Sequence, residues 1–155
     1  MKATKLGLAA LSLTLVIGTA QARDENDTAA RLASLQSQAG DPVASLQVND
    51  RDASWEALGN RDLLIHSQND NQTWLLHTSL CPGLTSVKRI WVTYAHDARV
   101  YVGTDYVRRL DEAGGRCQIL EARPVANVQV QGVRGSLVTG PRGRNESDLP
   151  SSKAP

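Results

Sequence analysis

The chain of 155 residues has no phenylalanine, three Trp, three Tyr and only two cysteines. With so few aromatics, a folded interior has to be filled mainly by Leu, Val, Ile and the three tryptophans. The chain has no strong charge of one sign either, and no apolar run of the roughly 20 residues needed to span a bilayer. Also missing are the GxSxG elbow, the HExxH helix, the phosphate-binding GxxxxGK[ST] loop and a GxGxxG turn. Those absences point away from the common hydrolase, metalloprotease and nucleotide-binding classes.

What is present begins with an export signal. Lys2 and Lys5 precede a short apolar run, Leu6 to Ile17, and Ala20 and Ala22 place small residues where a signal peptidase reads them. The expected cut lies between Ala22 and Arg23. Residues 1–22 are then a signal peptide, and no Cys stands beside the cut to take a lipid anchor. Losing Lys2 and Lys5 lowers the basic residues from 17 to 15 against 16 acidic ones, a formal charge of −1. A mature chain this close to neutral lacks the field that nucleic acids or anionic membranes attract. A periplasmic or secreted location follows, with no integral membrane segment after cleavage.

Both cysteines, Cys81 and Cys117, belong to the exported part, where thiols are oxidised in pairs. A disulfide between them is the simplest reading, worth about 4 kcal/mol in the chain-entropy picture. They lack the CxxC spacing that tunes a catalytic thiol.

Along the mature chain, residues 23–41 read as a helical segment. Asp24 or Asp27 offers an N-cap, Leu32, Leu35 and Ala39 form a narrow apolar stripe, and Gly40 and Pro42 stop it. From residue 42 to 133 short β-type runs alternate with turns, which predicts a mainly β (α+β) domain, a small antiparallel sheet or barrel. The expected strands are Ser45–Val48, Asp62–Ser67, Thr73–Thr78, Val87–Tyr94, Arg99–Val102, Tyr106–Leu110, Arg116–Glu121 and Ala126–Gln131. Asn69, Asp70 and Asn71 give a hairpin signal, because these residues tolerate left-handed backbone angles. Apolar content falls after Gly132. Residues 134–155, above all Gly140–Pro155, read as a disordered tail.

Few residues offer chemistry. His66 and His77 flank the Asn-rich turn, and with Asn71 and Gln72 as its two central residues they would stand directly opposite on one face. Two such imidazoles can hold Zn or Cu if further ligands complete the site. The plainer reading makes them polar residues of an outer face, and a slip of one residue would separate them. His96 falls in a charged turn. Asp97, Asp105, Asp111 and Glu112 have no spacing that suggests a carboxylate pair, and read as turn and strand-end residues. Trp55, Trp74 and Trp91 would make a ligand platform if exposed, but read as core fillers in a chain without Phe.

Several short motifs occur in a fixed order. They are Arg61 to Ile65 (R-x-L-L-I), Trp74-Leu75-Leu76, Cys81-Pro82-Gly83-Leu84 (C-P-x-L), Gly103-Thr104-Asp105 with Val107 (G-x-D-x-V), and Cys117-Gln118-Ile119 followed by Arg123-Pro124. In this order Asn60 to Val125 resembles a family of small exported proteobacterial proteins classed as a domain of unknown function. The resemblance implies the disulfide and supplies no catalytic residues and no cofactor. The expected function is therefore that of an exported envelope component that binds an envelope protein or a small ligand without catalysis, with metal binding through His66 and His77 as the alternative.

Overall fold

A computed structural model describes residues 20–48, 53–67, 71–95, 97, 99–111, 114–128, 130 and 135–141. The elements in chain order are α1 (Ala20–Gln38), β1 (Ser45–Gln47), β2 (Ala53–Ala57), β3 (Asp62–Ser67), β4 (Gln72–Thr78), β5 (Arg89–Tyr94), β6 (Arg99–Tyr101), β7 (Tyr106–Arg109), β8 (Arg116–Val125) and β9 (Gly135–Pro141). Seven strands close into a barrel in the order β2-β3-β4-β8-β7-β5-β9, and β1 and β6 form a separate two-stranded ribbon. The fold is mainly β, barrel-like and preceded by one helix, as the sequence implies. No helix among the described residues is long and apolar enough to cross a membrane.

Alternation along the strands sorts side chains into two layers. Trp55, Leu63, Ile65, Leu76, Ile90, Val92, Val107, Ile119 and Leu137 meet inside the barrel, joined by Leu46 and Val100 of the ribbon. Leu58, Leu64, Leu75 and Val125 form a second cluster with Leu35 of α1. The helix thus lies on the outer face of the β2-β3-β4-β8 flank. Its expected stripe is the one it uses, with Leu35 buried and Leu32 and Ala39 packed beside it. Arg31 Nη2 donates to Glu56 Oε2 at 2.9 Å, tying α1 to β2. After the helix, the Gly40 and Val43 amides donate to the Pro124 and Ala122 carbonyls, both at 2.9 Å, so the helix exit is fastened to β8.

The disulfide joins Cys81, in the β4–β5 connection, to Cys117 on β8, and both are buried in the interior cluster. Asp105 is fully buried and organises the β6–β7 turn. Its carboxylate accepts from the Tyr101 amide at 2.7 Å and from the Thr93 hydroxyl at 3.0 Å. Gly103, two residues earlier, holds φ +80°, a backbone angle that glycine tolerates best. The G-x-D-x-V segment is therefore a turn device, and the C-P-x-L segment is another: the Leu84 amide donates back to the Cys81 carbonyl at 3.1 Å, with Gly83 at φ +80°. Trp55 and Trp91 are each 1% exposed, so they are core and offer no platform; half-buried Trp74 packs against the interior cluster.

Four boundaries differ from the sequence expectation, each for a physical reason. The helix is already formed at Ala20, the first described residue and ahead of Asp24, and Ala20, Gln21, Ala22 and Arg23 are all good helix formers. The strand β2 is not signalled, since A-S-W-E-A has one large apolar residue and small or charged neighbours. Of the strand expected over Ala126–Gln131, the described residues 126–128 and 130 are not in a strand. Strand β8 runs to Val125, Asn127 at φ 57° turns the chain, and Val130 packs into the cluster under α1. Lastly, Gly135–Pro141, whose Gly- and Ser-rich composition resembles a tail, is the strand that closes the barrel, parallel to β5 and antiparallel to β2. Residues 142–155 of the expected tail, and residues 1–19 of the expected signal, lie outside the described residues.

Candidate functional site

On the outer face of β3, β4 and β8 the pairing register assembles a cross-strand row. Asp62 faces His77, and His77 faces Glu121. One step along, Leu64 faces Leu75 and Leu75 faces Arg123. Between these strands and α1 lies a pocket of about 320 Å³ lined by Gln36, Asp62, Leu75, His77, Glu121 and Arg123. A bulge makes this possible. Thr78 faces Ile119 while His77 faces Glu121, so Leu120 has no opposite number and the faces of β8 exchange at that point. Ahead of the bulge Cys117 and Ile119 point inward; after it Ala122 does, and Glu121 and Arg123 are turned out toward the pocket.

The polar side chains are held in two pairs. His77 Nδ1 lies 2.8 Å from Asp62 Oδ1. An ionised carboxylate only accepts, so Nδ1 carries the hydrogen, and in the neutral ring Nε2 is left as an acceptor. Arg123 Nε donates to Glu121 Oε1, two residues away on the same face. Each pair is made through one atom of each group. The second oxygens of Asp62 and Glu121, His77 Nε2 and the two terminal guanidinium nitrogens of Arg123 have no partner among the described residues. Leu75, buried between them, supplies an apolar wall.

The two histidines share the outer face but do not meet. His66 faces Thr73 and His77 faces Asp62, a separation of four residues along the ladder, or about 13 Å. The reason is the hairpin: residues 68–71 connect the strands, whereas a turn centred on Asn71 and Gln72 would have placed the rings opposite. His66 is engaged locally. The Thr73 hydroxyl donates to the Val128 carbonyl, which leaves its oxygen to accept from His66 Nδ1 at 2.9 Å. Among the described residues no three His, Cys, Asp or Glu side chains converge as metal ligands.

The remaining candidates fall elsewhere. Asp97 accepts from the Tyr101 hydroxyl at 2.6 Å, which holds its carboxyl below the ordinary carboxylate range and raises the Tyr101 hydroxyl above its own. Asp111 accepts from the Gly114 amide and pairs with Arg109. Asp105 is the buried turn residue described above, and His96 and Glu112 lie outside the described residues. Ala22 and Arg23 fall within α1.

Of the pocket residues only His77 stands out in the sequence as a chemical candidate, while Leu75 and Arg123 appear there only within short motifs. Asp62, Glu121, Arg123 and Gln36 come from three elements that are far apart in the chain, and only pairing brings them together. Their one shared signal is that Asp62, Glu121 and Arg123 flank apolar strand positions at alternate sites. No curated protein and no solved structure matches the chain. A family model does, over residues 1–139, reaching beyond Asn60–Val125 at both ends and taking in five of the seven residues of β9. The chain belongs to the family of unknown function DUF6491.

Proposed function

We propose that this chain is an exported envelope protein that binds a small polar ligand in the pocket between α1 and the barrel and performs no chemistry on it. The observation that carries the reading is the pocket's internal pairing. Asp62–His77 and Glu121–Arg123 fix the orientation of four polar groups while leaving each with hydrogen-bonding capacity turned to the pocket. Groups held in place before the ligand arrives lose less freedom on binding. Binding is favoured over catalysis because, among the described residues, no Ser, Thr or Cys lines the pocket beside His77, and the carboxylates that do, Asp62 and Glu121, are each engaged by a neighbouring side chain.

Export is supported by the charged, apolar and small-residue segments of residues 1–22 and by a disulfide that suits an oxidising compartment. Cleavage after Ala22 would leave Arg31, Leu32, Leu35 and Gln36, the residues through which α1 holds the barrel and walls the pocket. Expression with the native N-terminus, followed by intact-mass analysis of the periplasmic fraction, should give a chain starting at Arg23 with no free thiol. Ligand-observed NMR of that material with mixtures of small polar compounds should detect binding that His77→Ala abolishes. A cytoplasmic, uncleaved product contradicts export, and a hydrolytic activity lost in His77→Ala contradicts the non-catalytic reading.

A further inference from the structure

Resting on the reading of this pocket as a ligand site, we infer that its ligand is a neutral polyhydroxylated molecule, a sugar, rather than an ion. The unused hydrogen-bonding atoms are of both kinds. Asp62, Glu121 and His77 offer acceptors, Arg123 offers a fork of donors, and the Gln36 amide offers one of each. A hydroxyl both donates and accepts, so adjacent hydroxyls on a ring can satisfy an acceptor and a donor side by side. All five polar side chains end in planar groups, and the carboxylates and the guanidinium can each engage two neighbouring hydroxyls at once. Leu75 lines the floor of the pocket but is 5% exposed, so polar contacts rather than stacking on it would hold the sugar.

Ions fit less well, because an ion satisfies groups of one kind while this site presents both donors and acceptors. An anion drawn to Arg123 would have to sit beside the carboxylates of Asp62 and Glu121, and a cation drawn to those carboxylates would face Arg123. With the His77 ring neutral the site holds two carboxylates against one guanidinium, so an anion meets net repulsion, and a cation gains the field of one unit charge at most while lying beside Arg123. A pocket of about 320 Å³ is at the small end of ligand sites and suits a molecule of one or two rings.

The test is calorimetry together with saturation-transfer NMR on the mature, oxidised protein. The probes are glucose, galactose and N-acetylglucosamine as neutral ligands, with glutamate and spermidine as ionic ones. We expect at least one sugar to bind, and Arg123→Gln and Glu121→Gln each to weaken it by about tenfold or more, the loss of one to two good hydrogen bonds. Both substituted side chains are partly exposed, and near-UV circular dichroism confirms that the variants fold. Glutamate or spermidine binding with that sensitivity, while no sugar binds, overturns the sugar inference and leaves the pocket as a ligand site. Sugar binding that neither variant alters places the sugar elsewhere and overturns the inference. If no probe binds and ligand-observed NMR with wider mixtures also finds nothing, both readings fall.

Discussion

Replacing Gly140 with alanine should cost stability through a clash with Trp91. Gly140 is buried on β9, beside β5, and a Cβ built there lies 2.6, 2.7 and 2.8 Å from Cζ2, Nε1 and Cε2 of Trp91. Ordinary contact needs well over 3 Å, so the indole would have to retreat. Trp91 is 1% exposed, so its indole cannot swing aside into solvent without giving up its burial. Overpacking of this kind costs about 1–3 kcal/mol. With a urea dependence of 1–3 kcal/mol per molar, a cost of about 2 kcal/mol lowers the unfolding midpoint by about 1 M. A second variant isolates the cause. Trp91→Leu costs stability alone by leaving a cavity, but in the double variant the alanine methyl occupies part of the vacated space. The double variant should therefore be more stable than the sum of the single costs by at least about 1 kcal/mol. Equilibrium urea unfolding of the oxidised protein, followed by far-UV circular dichroism, measures all four species. A Gly140→Ala midpoint equal to wild type, or strict additivity in the cycle, would refute the clash.

Three further outcomes follow from the structure. Replacing Cys81 and Cys117 together by alanine should lower stability by about 4 kcal/mol, and a urea midpoint that barely moves would show that the loop they close is already ordered in the unfolded chain. Asp105→Ala leaves the Tyr101 amide without its carboxylate acceptor in a buried turn and should cost about 2–3 kcal/mol by the same assay, whereas Asp97→Ala, exposed at the neighbouring turn, should cost little. In an NMR titration Tyr101→Phe should move the Asp97 midpoint upward, because the hydroxyl that stabilises the charged carboxylate is gone, and Asp97→Asn should move the Tyr101 midpoint downward; no movement in either would break the assignment.

How much of this could be read in advance depends on where the ordering energy lies. The hairpin at Asn71, the helix stripe of Leu32 and Leu35, the buried tryptophans and the disulfide rest on local chemistry or on composition, and the sequence shows them. Strands β2 and β9 rest on pairing. Each has a neighbour on both sides within the barrel, so weak side-chain preference in A-S-W-E-A or G-S-L-V-T-G-P is outweighed by backbone pairing with β3 for the one and β5 for the other. The segment around Val128 and Val130 errs the other way. Its alternation marks real burial, but against the helix cluster and without a ladder partner.

The site is hidden for a sharper reason, which also makes it testable. Continuing the inward set of Cys117 and Ile119 by twos puts Glu121 and Arg123 inside the barrel, where unpaired charges would be prohibitive. The extra residue Leu120 resets the alternation, so both charges emerge onto the pocket. Deleting Leu120 should therefore be tolerated: Thr78 still faces Ile119, His77 still faces Glu121, and a side chain already 46% exposed is all that is lost. Its cost should stay within roughly 1 kcal/mol, the range of surface changes. Deleting Arg123 shortens β8 by the same one residue but, if the bulge is used up to keep the partners on either side, turns Glu121 inward opposite Leu76. Burying that carboxylate should cost several kcal/mol and leave the protein unfolded or nearly so. Urea unfolding of the two deletions decides the matter: equal stability, or the reverse order, would mean that the bulge does not set which face carries the site.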